Sequence, residues 1–373
     1  MPTETEKPGL YIHVPFCAAK CPYCDFYSTD KSDLISAWLK ALEKEAVFYK
    51  DRFSRFGTIY LGGGTPSVLS GQSLEKLMES VYRHFSFSSD AEITIEANPN
   101  DLTSDKTKAL CNLGFNRISL GVQSFDEQEL RFLKRRHTAA EATRAIDLIR
   151  KTGFKNLGID LMCAVPGQTS HSWLHTLSRA VSFTPEHISC YQLTIKEETP
   201  FWYQMQKGLI KIPEETDEEL FFLATAEFLQ DSGYIHYEIS NFARAEKFYS
   251  VHNRKYWQHA AFLGLGPSAH SFFENTRWWN CRSVKKYNRL LEEGSAPVDG
   301  REKITDEQRR LEALFLSFRT RRGMELETFK TYKRVESVLP GLIESKLVKI
   351  TGRRIVPTTR GLLVADSLPL LFV

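Results

Sequence analysis

Cys17, Cys21 and Cys24 stand in a C-x3-C-x2-C spacing just after an apolar run made of Leu10, Tyr11, Ile12 and Val14. Three thiolates this close together can hold three irons of a cubic iron-sulfur cluster. Such clusters are usually closed by four cysteines, so a triad that stops at three leaves one iron open to a small chelating ligand. Phe26 occupies the second position after Cys24, and Cys111, Cys163, Cys190 and Cys281 are scattered singly, so no fourth thiol stands nearby. Zinc also selects soft thiolates, and Cys21-x-x-Cys24 is a common half-site for it, but no second Cys or His pair lies between Asp25 and Glu43. The spacing favours the cluster and leaves zinc and a redox dithiol as alternatives. His13, on the run before the triad, reads as a packing residue rather than a ligand.

An open iron with a chelating ligand needs partners for the ligand's other groups. Glu96 offers a partner for a cation, Gln123 an amide, Arg135 a fork for a carboxylate and Asp160 an acceptor for ribose hydroxyls. The glycine triplet Gly62-Gly63-Gly64 removes Cβ atoms where backbone must approach a ligand, although a tight strand-to-helix turn explains it equally well.

These residues share a position relative to the elements that carry them. β-rich runs recur at Leu10–Val14, Thr58–Leu61, Glu92–Glu96, Arg117–Gly121, Leu157–Met162 and His187–Leu193, with amphipathic helical spacing between them, as at Leu34, Trp38, Leu39 and Leu42. Six strand-helix alternations predict a parallel sheet wound in one sense into a partial, TIM-like (β/α)6 barrel. In such folds the working loops follow the C-terminal strand ends. The triad follows the first run, Gly62–Pro66 the second, Glu96 and Asn98 the third, and Gln123 the fourth, while Asp160 lies near the end of the fifth.

The expected organisation is α/β: residues 1–200 as the partial barrel, 201–298 as a mixed extension, and 299–373 as a smaller C-terminal α+β domain. In the last, helical spacing from Ile304 and a hairpin at Leu347–Val356 resemble a winged helix. Arg353 and Arg354 sit on that hairpin. A formal charge of +3 on 373 residues, however, gives no argument for a nucleic-acid partner, and packing or partner docking is the expected role. No 18-residue apolar run is present and Met1–Pro8 is polar, so neither a membrane span nor a secretory signal is expected. Seven cysteines without a framework pattern fit a reducing compartment, hence a cytoplasmic protein.

Gly9–Cys17 with the C-x3-C-x2-C loop, Gly62-Gly63-Gly64-Thr65-Pro66, Arg117–Phe125 and Asp160-Leu161-Met162 together resemble the radical S-adenosylmethionine superfamily, and within it the coproporphyrinogen-dehydrogenase-like family. The resemblance implies a 4Fe-4S cluster on Cys17, Cys21 and Cys24, with S-adenosylmethionine chelating the fourth iron. It also implies a pocket for that cofactor lined by Tyr11, Tyr23, Gly63, Gly64, Thr65, Glu96, Gln123, Arg135 and Asp160. Arg136 adjoins Arg135, so either could face the ligand.

Two departures choose between branches. Coproporphyrinogen dehydrogenases carry an extra cysteine where Phe26 stands and a longer arm before the triad. Heme chaperones of the same family share Cys-Pro-Tyr-Cys-Asp-Phe, the short N-terminus and a His-Asn-x-x-Tyr motif, matched by His252-Asn253-Arg254-Lys255-Tyr256 and followed by Trp257. The resemblance implies heme bound through His252 and passed to apo-hemoproteins such as respiratory cytochromes, by a monomer or homodimer. An imidazole is a common axial ligand to heme iron, and Tyr256 and Trp257 offer flat apolar surface. His270 and His236 are weaker alternatives. The competing expectation is an oxygen-independent coproporphyrinogen III dehydrogenase, or another radical reaction on a tetrapyrrole.

Overall fold

The structure is a computed structural model that describes residues 7–53 and 55–373, so residues 1–6 of the polar N-terminal stretch lie outside the described residues. It divides into two compact units. One comprises Met1–Leu161, Leu193–Lys211 and Ala260–Lys303; the other comprises Met162–Gln192, Ile212–His259 and Ile304–Val373.

Strands form at all six β-rich runs: β1 (Gly9–Val14), β2 (Phe56–Gly63), β3 (Phe87–Ala97), β4 (Arg117–Gln123), β5 (Leu157–Cys163) and β6 (His187–Gln192). Helices follow them in alternation, at Ile35–Tyr49, Gly71–His84, Ser104–Asn112, Ala139–Lys151, Ser170–Ser182 and Glu215–Asp231. Further along the chain come β7 (Ile235–Glu238), β8 (Asn241–Ala243), β9 (Phe262–Leu265), β10 (His270–Phe273), β11 (Thr276–Asn280), β12 (Val298–Lys303), β13 (Met324–Glu325), β14 (Val348–Thr351) and β15 (Arg354–Pro357). The fold is α/β, an open (β/α)6 arrangement rather than a closed barrel.

In the first unit β1 to β5 pair in parallel and in sequence order. Burial on both faces is what a covered parallel sheet requires, and in β5 only Asp160 interrupts it. The helices between are fixed by their starts: Ser70 Oγ accepts from Ser73 N at 3.1 Å, and Thr138 with Glu141 forms a capping box. On its other edge β1 pairs in parallel with β9, and β10, β11 and β12 continue antiparallel.

The β9–β12 block is locked to helix Ile35–Tyr49 by a carboxylate that the sequence reading did not single out. Glu45 is fully buried and accepts from Tyr287 Oη at 2.6 Å, Asn280 Nδ2 at 2.5 Å and Gly266 N at 2.8 Å. Burial pushes its carboxyl up to about 7 against the pull of these three donors. Gly266 must be glycine: its φ is +97°, and a Cβ there would lie 2.5 Å from the His13 carbonyl oxygen.

In the second unit β8 pairs antiparallel with both β6 and β7, and Trp173 Nε1 donates to Thr225 Oγ1 at 2.8 Å, tying helix Ser170–Ser182 to helix Glu215–Asp231. The C-terminal part has the winged-helix order: helix Asp306–Phe318, β13, helices Leu326–Phe329 and Val335–Glu344, then the β14–β15 hairpin, in a three-stranded sheet β13-β15-β14. Its core draws on Leu314, Phe318, Phe329, Leu342, Ile355 and Phe372. Arg354 is spent inside this module, on the Arg322 and Gly323 carbonyls and on Glu325, whereas Arg353 is exposed. No helix among the described residues is long and apolar enough to cross a membrane.

Candidate functional site

The cysteine loop leaves β1 at Val14 and is closed at its base by Thr29, whose N donates to the Pro15 carbonyl at 2.8 Å while Cys17 N donates to the Thr29 carbonyl at 3.0 Å. Cys24 N turns back to the Cys21 carbonyl at 3.1 Å. All three cysteines are partly exposed. Two receive hydrogen bonds at sulfur: Thr65 Oγ1 donates to Cys17 Sγ and Arg135 Nη1 to Cys21 Sγ, each at 3.3 Å. Burial, reinforced by the neighbouring sulfurs, pushes the Cys24 thiol up to about 11, so ligation there releases a proton.

Neighbouring segments hold the loop in place. Phe201 N donates to the Pro22 carbonyl at 3.0 Å, Arg282 Nη2 to the Asp25 carbonyl at 3.0 Å, and Val284 N to Tyr27 Oη at 2.7 Å. His13 is a packing residue. Its Nε2 lies 2.8 Å from the Tyr27 carbonyl, so it carries the proton, and Nδ1 accepts from Tyr11 Oη at 3.2 Å. Burial lowers its pKa to about 4 and keeps the ring neutral.

The glycine triplet serves the loop. A Cβ on Gly64 would lie 2.6 Å from the Phe16 carbonyl and 2.8 Å from that of Val14, and Gly63 has a φ of +104° with the His13 ring against it. Gly64 N and Thr65 N donate to those two carbonyls, at 2.8 Å to Val14 and 2.7 Å to Phe16. The end of β2 thus presses backbone to backbone on the cysteine loop, which puts the Thr65 hydroxyl on Cys17.

Polar side chains from β3, β4 and β5 rise on the same C-terminal edge. Glu96 accepts from Tyr60 Oη at 2.8 Å and from Gly63 N at 3.3 Å; burial first, then nearby Asp160, raises its carboxyl to about 7. Ser119 Oγ donates to Asp160 at 2.9 and 3.1 Å. Gln123 ends β4 at a φ of +68° with a register shift beside it, a costly conformation for a residue other than glycine. Arg135 faces the loop: Nη1 reaches Cys21 Sγ and, at 3.5 Å, Tyr23 Oη, while Nη2 donates to the Gly121 carbonyl at 2.9 Å. Its Nε is buried without a partner. Arg136 turns away and pairs with Asp101 at 2.7 Å. Tyr60 and Ser119, which hold Glu96 and Asp160, were missed by the sequence reading. The period-two alternation Arg117, Ser119, Gly121 is the signal that marks Ser119 as sharing a strand face with the site.

Three other histidines are the candidate heme ligands of the sequence. In the second unit His252 is 1% exposed, with Nε2 2.8 Å from Tyr256 Oη. His236 is buried, with Nε2 3.1 Å from the Ile239 carbonyl and its ring stacked on Phe242. His270, in the first unit, is exposed beside Trp279.

Residues 11–180 match the model of the radical SAM superfamily. The chain is 35% identical to the heme chaperone HemW of Bacillus subtilis over 369 residues, covering 96% of this chain and 97% of that one. The chain belongs to the HemW family of radical SAM proteins. HemW of Haemophilus influenzae is 37% identical over 305 residues, 78% of each chain. The solved structure of Escherichia coli coproporphyrinogen III oxidase (HemN), described as a radical SAM enzyme, superposes with a TM-score of 0.84 at 25% identity, covering 98% of this chain and 90% of that one.

A radical SAM protein of the HemW family carries a 4Fe-4S cluster and S-adenosylmethionine, and the residues present fit both. Among the described residues no three Cys, His, Asp or Glu gather to hold a single metal ion. A cube gives each thiolate its own iron, which suits three free, partly exposed cysteines on one loop. The orphaned Arg135 Nε and the partly open Glu96 supply a donor for a carboxylate and an acceptor for a cation. Bound, the pair supplies one-electron chemistry, and the protein's part is to position and shield it.

Proposed function

We propose that this protein is a heme chaperone: it binds heme and transfers it to apo-hemoproteins such as respiratory cytochromes, working in the cytoplasm as a monomer or homodimer. The reading is carried by the end-to-end similarity to the Bacillus subtilis heme chaperone. Phe26 supports it, standing 63% exposed on the cysteine loop where the dehydrogenase branch has a further thiol. In this reading Cys17, Cys21 and Cys24 hold the cluster, and Tyr11, Tyr23, Gly63, Gly64, Thr65, Glu96, Gln123, Arg135 and Asp160 line the S-adenosylmethionine pocket. His252 belongs to the heme site on helix Val251–Trp257. Anaerobically reconstituted protein should take up hemin stoichiometrically and activate an apo-cytochrome, with His252→Ala impaired in uptake. Protein that binds no hemin would sink the reading.

The retained rim of Glu96, Gln123, Arg135 and Asp160, with the likeness to HemN, favours a second reading, oxidative decarboxylation of coproporphyrinogen III. Reductant, S-adenosylmethionine and coproporphyrinogen III with the reconstituted protein would then yield protoporphyrinogen. No conversion excludes that activity.

A further inference from the structure

We propose that the open face of β9–β12 is the platform on which the heme macrocycle lies, stacked on Trp279 and His270, with a propionate on Arg282. The inference rests on the heme reading above and deepens it by naming the surface; it asks nothing of the iron or of the iron's ligand.

Strand alternation gives this part of the sheet two unlike faces. One carries Ser271, Phe273, Trp278 and Asn280, and helix Ile35–Tyr49 with the chain just after it covers that side. Tyr49 stacks on Trp278 at 5.8 Å, Arg52 lies over Phe273 and Trp278, and Asn280 reaches Glu45. The other face carries Phe262, His270, Phe272, Arg277 and Trp279. It stays open: His270 is exposed, and Phe262, Arg277 and Trp279 are partly so. The register of β9 on β1 sets Phe262 beside Gly9 and Gly264 beside Tyr11, so this face continues the one on which Tyr11 and His13 stand. His13 in turn packs on Tyr27 of the cysteine loop, with ring centroids 6.4 Å apart.

A glycine shapes this surface. β12 sets Gly300 opposite Trp279, and a Cβ there would lie 2.4 Å from the indole, so the ring can lie across the strand only while that position has no side chain. The His270 imidazole is nearly parallel to it, with centroids 6.0 Å and planes 27° apart. Two half-open rings at nearly one tilt suit a planar conjugated macrocycle and offer a puckered porphyrinogen less contact. The charge fits as well. Arg277 is balanced by Glu302 at 3.0 Å, whereas exposed Arg282, two residues past the end of β11, rests by Nη2 on the neutral Asp25 carbonyl at 3.0 Å. Its charge is not spent there and remains for a carboxylate. Burial first, then the charges of Arg277 and Arg282, lower the His270 pKa, which puts Arg282 within electrostatic reach of the platform.

The test titrates the cluster-reconstituted full chain with hemin and with metal-free protoporphyrin IX. Wild type is compared with Trp279→Leu, Trp279→Phe, Gly300→Ala and Arg282→Gln, each checked for an unchanged far-UV circular dichroism spectrum and iron content. Both ligands should bind the wild type, because stacking needs no iron. Trp279→Leu and Gly300→Ala should each weaken both about tenfold or more, and Trp279→Phe, which keeps a flat ring, should lose less. The glycine variant adds one methyl group on an edge strand and keeps the tryptophan, which guards against a packing defect in the leucine variant. Arg282→Gln should remove the preference of the wild type for protoporphyrin IX over its dimethyl ester. Hemin uptake that none of these variants alters, or hemin uptake without protoporphyrin IX uptake, would overturn the platform and leave the heme reading standing. Weakened S-adenosylmethionine binding in Trp279→Leu with hemin uptake unchanged would also overturn it and give the face to an adenine ring. Wild type that binds neither tetrapyrrole would overturn the heme reading itself, and the platform with it.

Discussion

Arg135 and Arg136 are adjacent in sequence and opposite in consequence. Arg135 places its guanidinium on Cys21, Tyr23 and the Gly121 carbonyl and keeps a buried Nε without a partner, while Arg136 closes an ion pair with Asp101. Arg135→Lys keeps the charge but loses the planar fork, so S-adenosylmethionine affinity should fall about tenfold or more. Arg136→Ala should leave it unchanged. Calorimetry on reconstituted protein decides, and equal losses in both variants would remove Arg135 from the pocket. Glu96 adds a pH dependence. Its carboxyl is raised to about 7, by burial first and then by Asp160. A cationic ligand selects the ionised form, so binding below that pH must expel a proton. Affinity should therefore rise as pH climbs through about 7 and level off above it, whereas Glu96→Gln should bind more weakly and lose that step.

Elements reach the site through contacts that no single element specifies. The β2 end is glycine because it lies on the Val14 and Phe16 carbonyls, so Gly64→Ala should push the cysteine loop off β2 and lower the iron and sulfide content of reconstituted protein. Undiminished content would show that the loop can shift. Helix Ile35–Tyr49 depends on Glu45 in the same way. Glu45→Ala leaves the donors of Tyr287, Asn280 and Gly266 buried and unpaired, a loss of ~3 kcal/mol or more in urea unfolding. The pH sign follows from a carboxyl held at about 7 in the folded chain. Folding takes up a proton between the ordinary carboxylate pKa of about 4.3 and that value, so this group's contribution is full below the window and is lost as pH rises through it. Glu45→Gln should flatten that part of the stability profile. The strands were legible because parallel strands covered on both faces are apolar runs, and the proposed pocket residues could be sought at one edge because such strands put their loops and polar ends there. Glu45, Tyr60 and Ser119 were not, because their roles depend on which distant residue the register sets opposite them. Ser119 meets Asp160 only because β4 pairs with β5 so that Ser119 lies opposite Gly158 and Gly121 opposite Asp160.

Across the whole chain, sequence order and compactness divide the protein differently. The proposed segments 1–200, 201–298 and 299–373 follow motif and pattern, whereas each compact unit gathers three separate stretches of chain. Burial selects its partners by surface rather than by position in the sequence, and composition alone carries no trace of that choice. The last segment has what an independent module needs: a sheet of its own, β13-β15-β14, and an apolar core from Leu314 to Phe372. Ties within the module close it, with Arg354 on Glu325 and on the Arg322 and Gly323 carbonyls, and Tyr332 Oη on the Arg310 carbonyl at 2.7 Å. A single small core supplies only about 3–5 kcal/mol at this size. Residues 299–373 expressed alone should therefore fold marginally and unfold in one cooperative step in urea, followed by far-UV circular dichroism. A gradual, non-cooperative loss of signal would mean that this core stands only with the rest of the chain, and the boundary near 299 would have to be withdrawn.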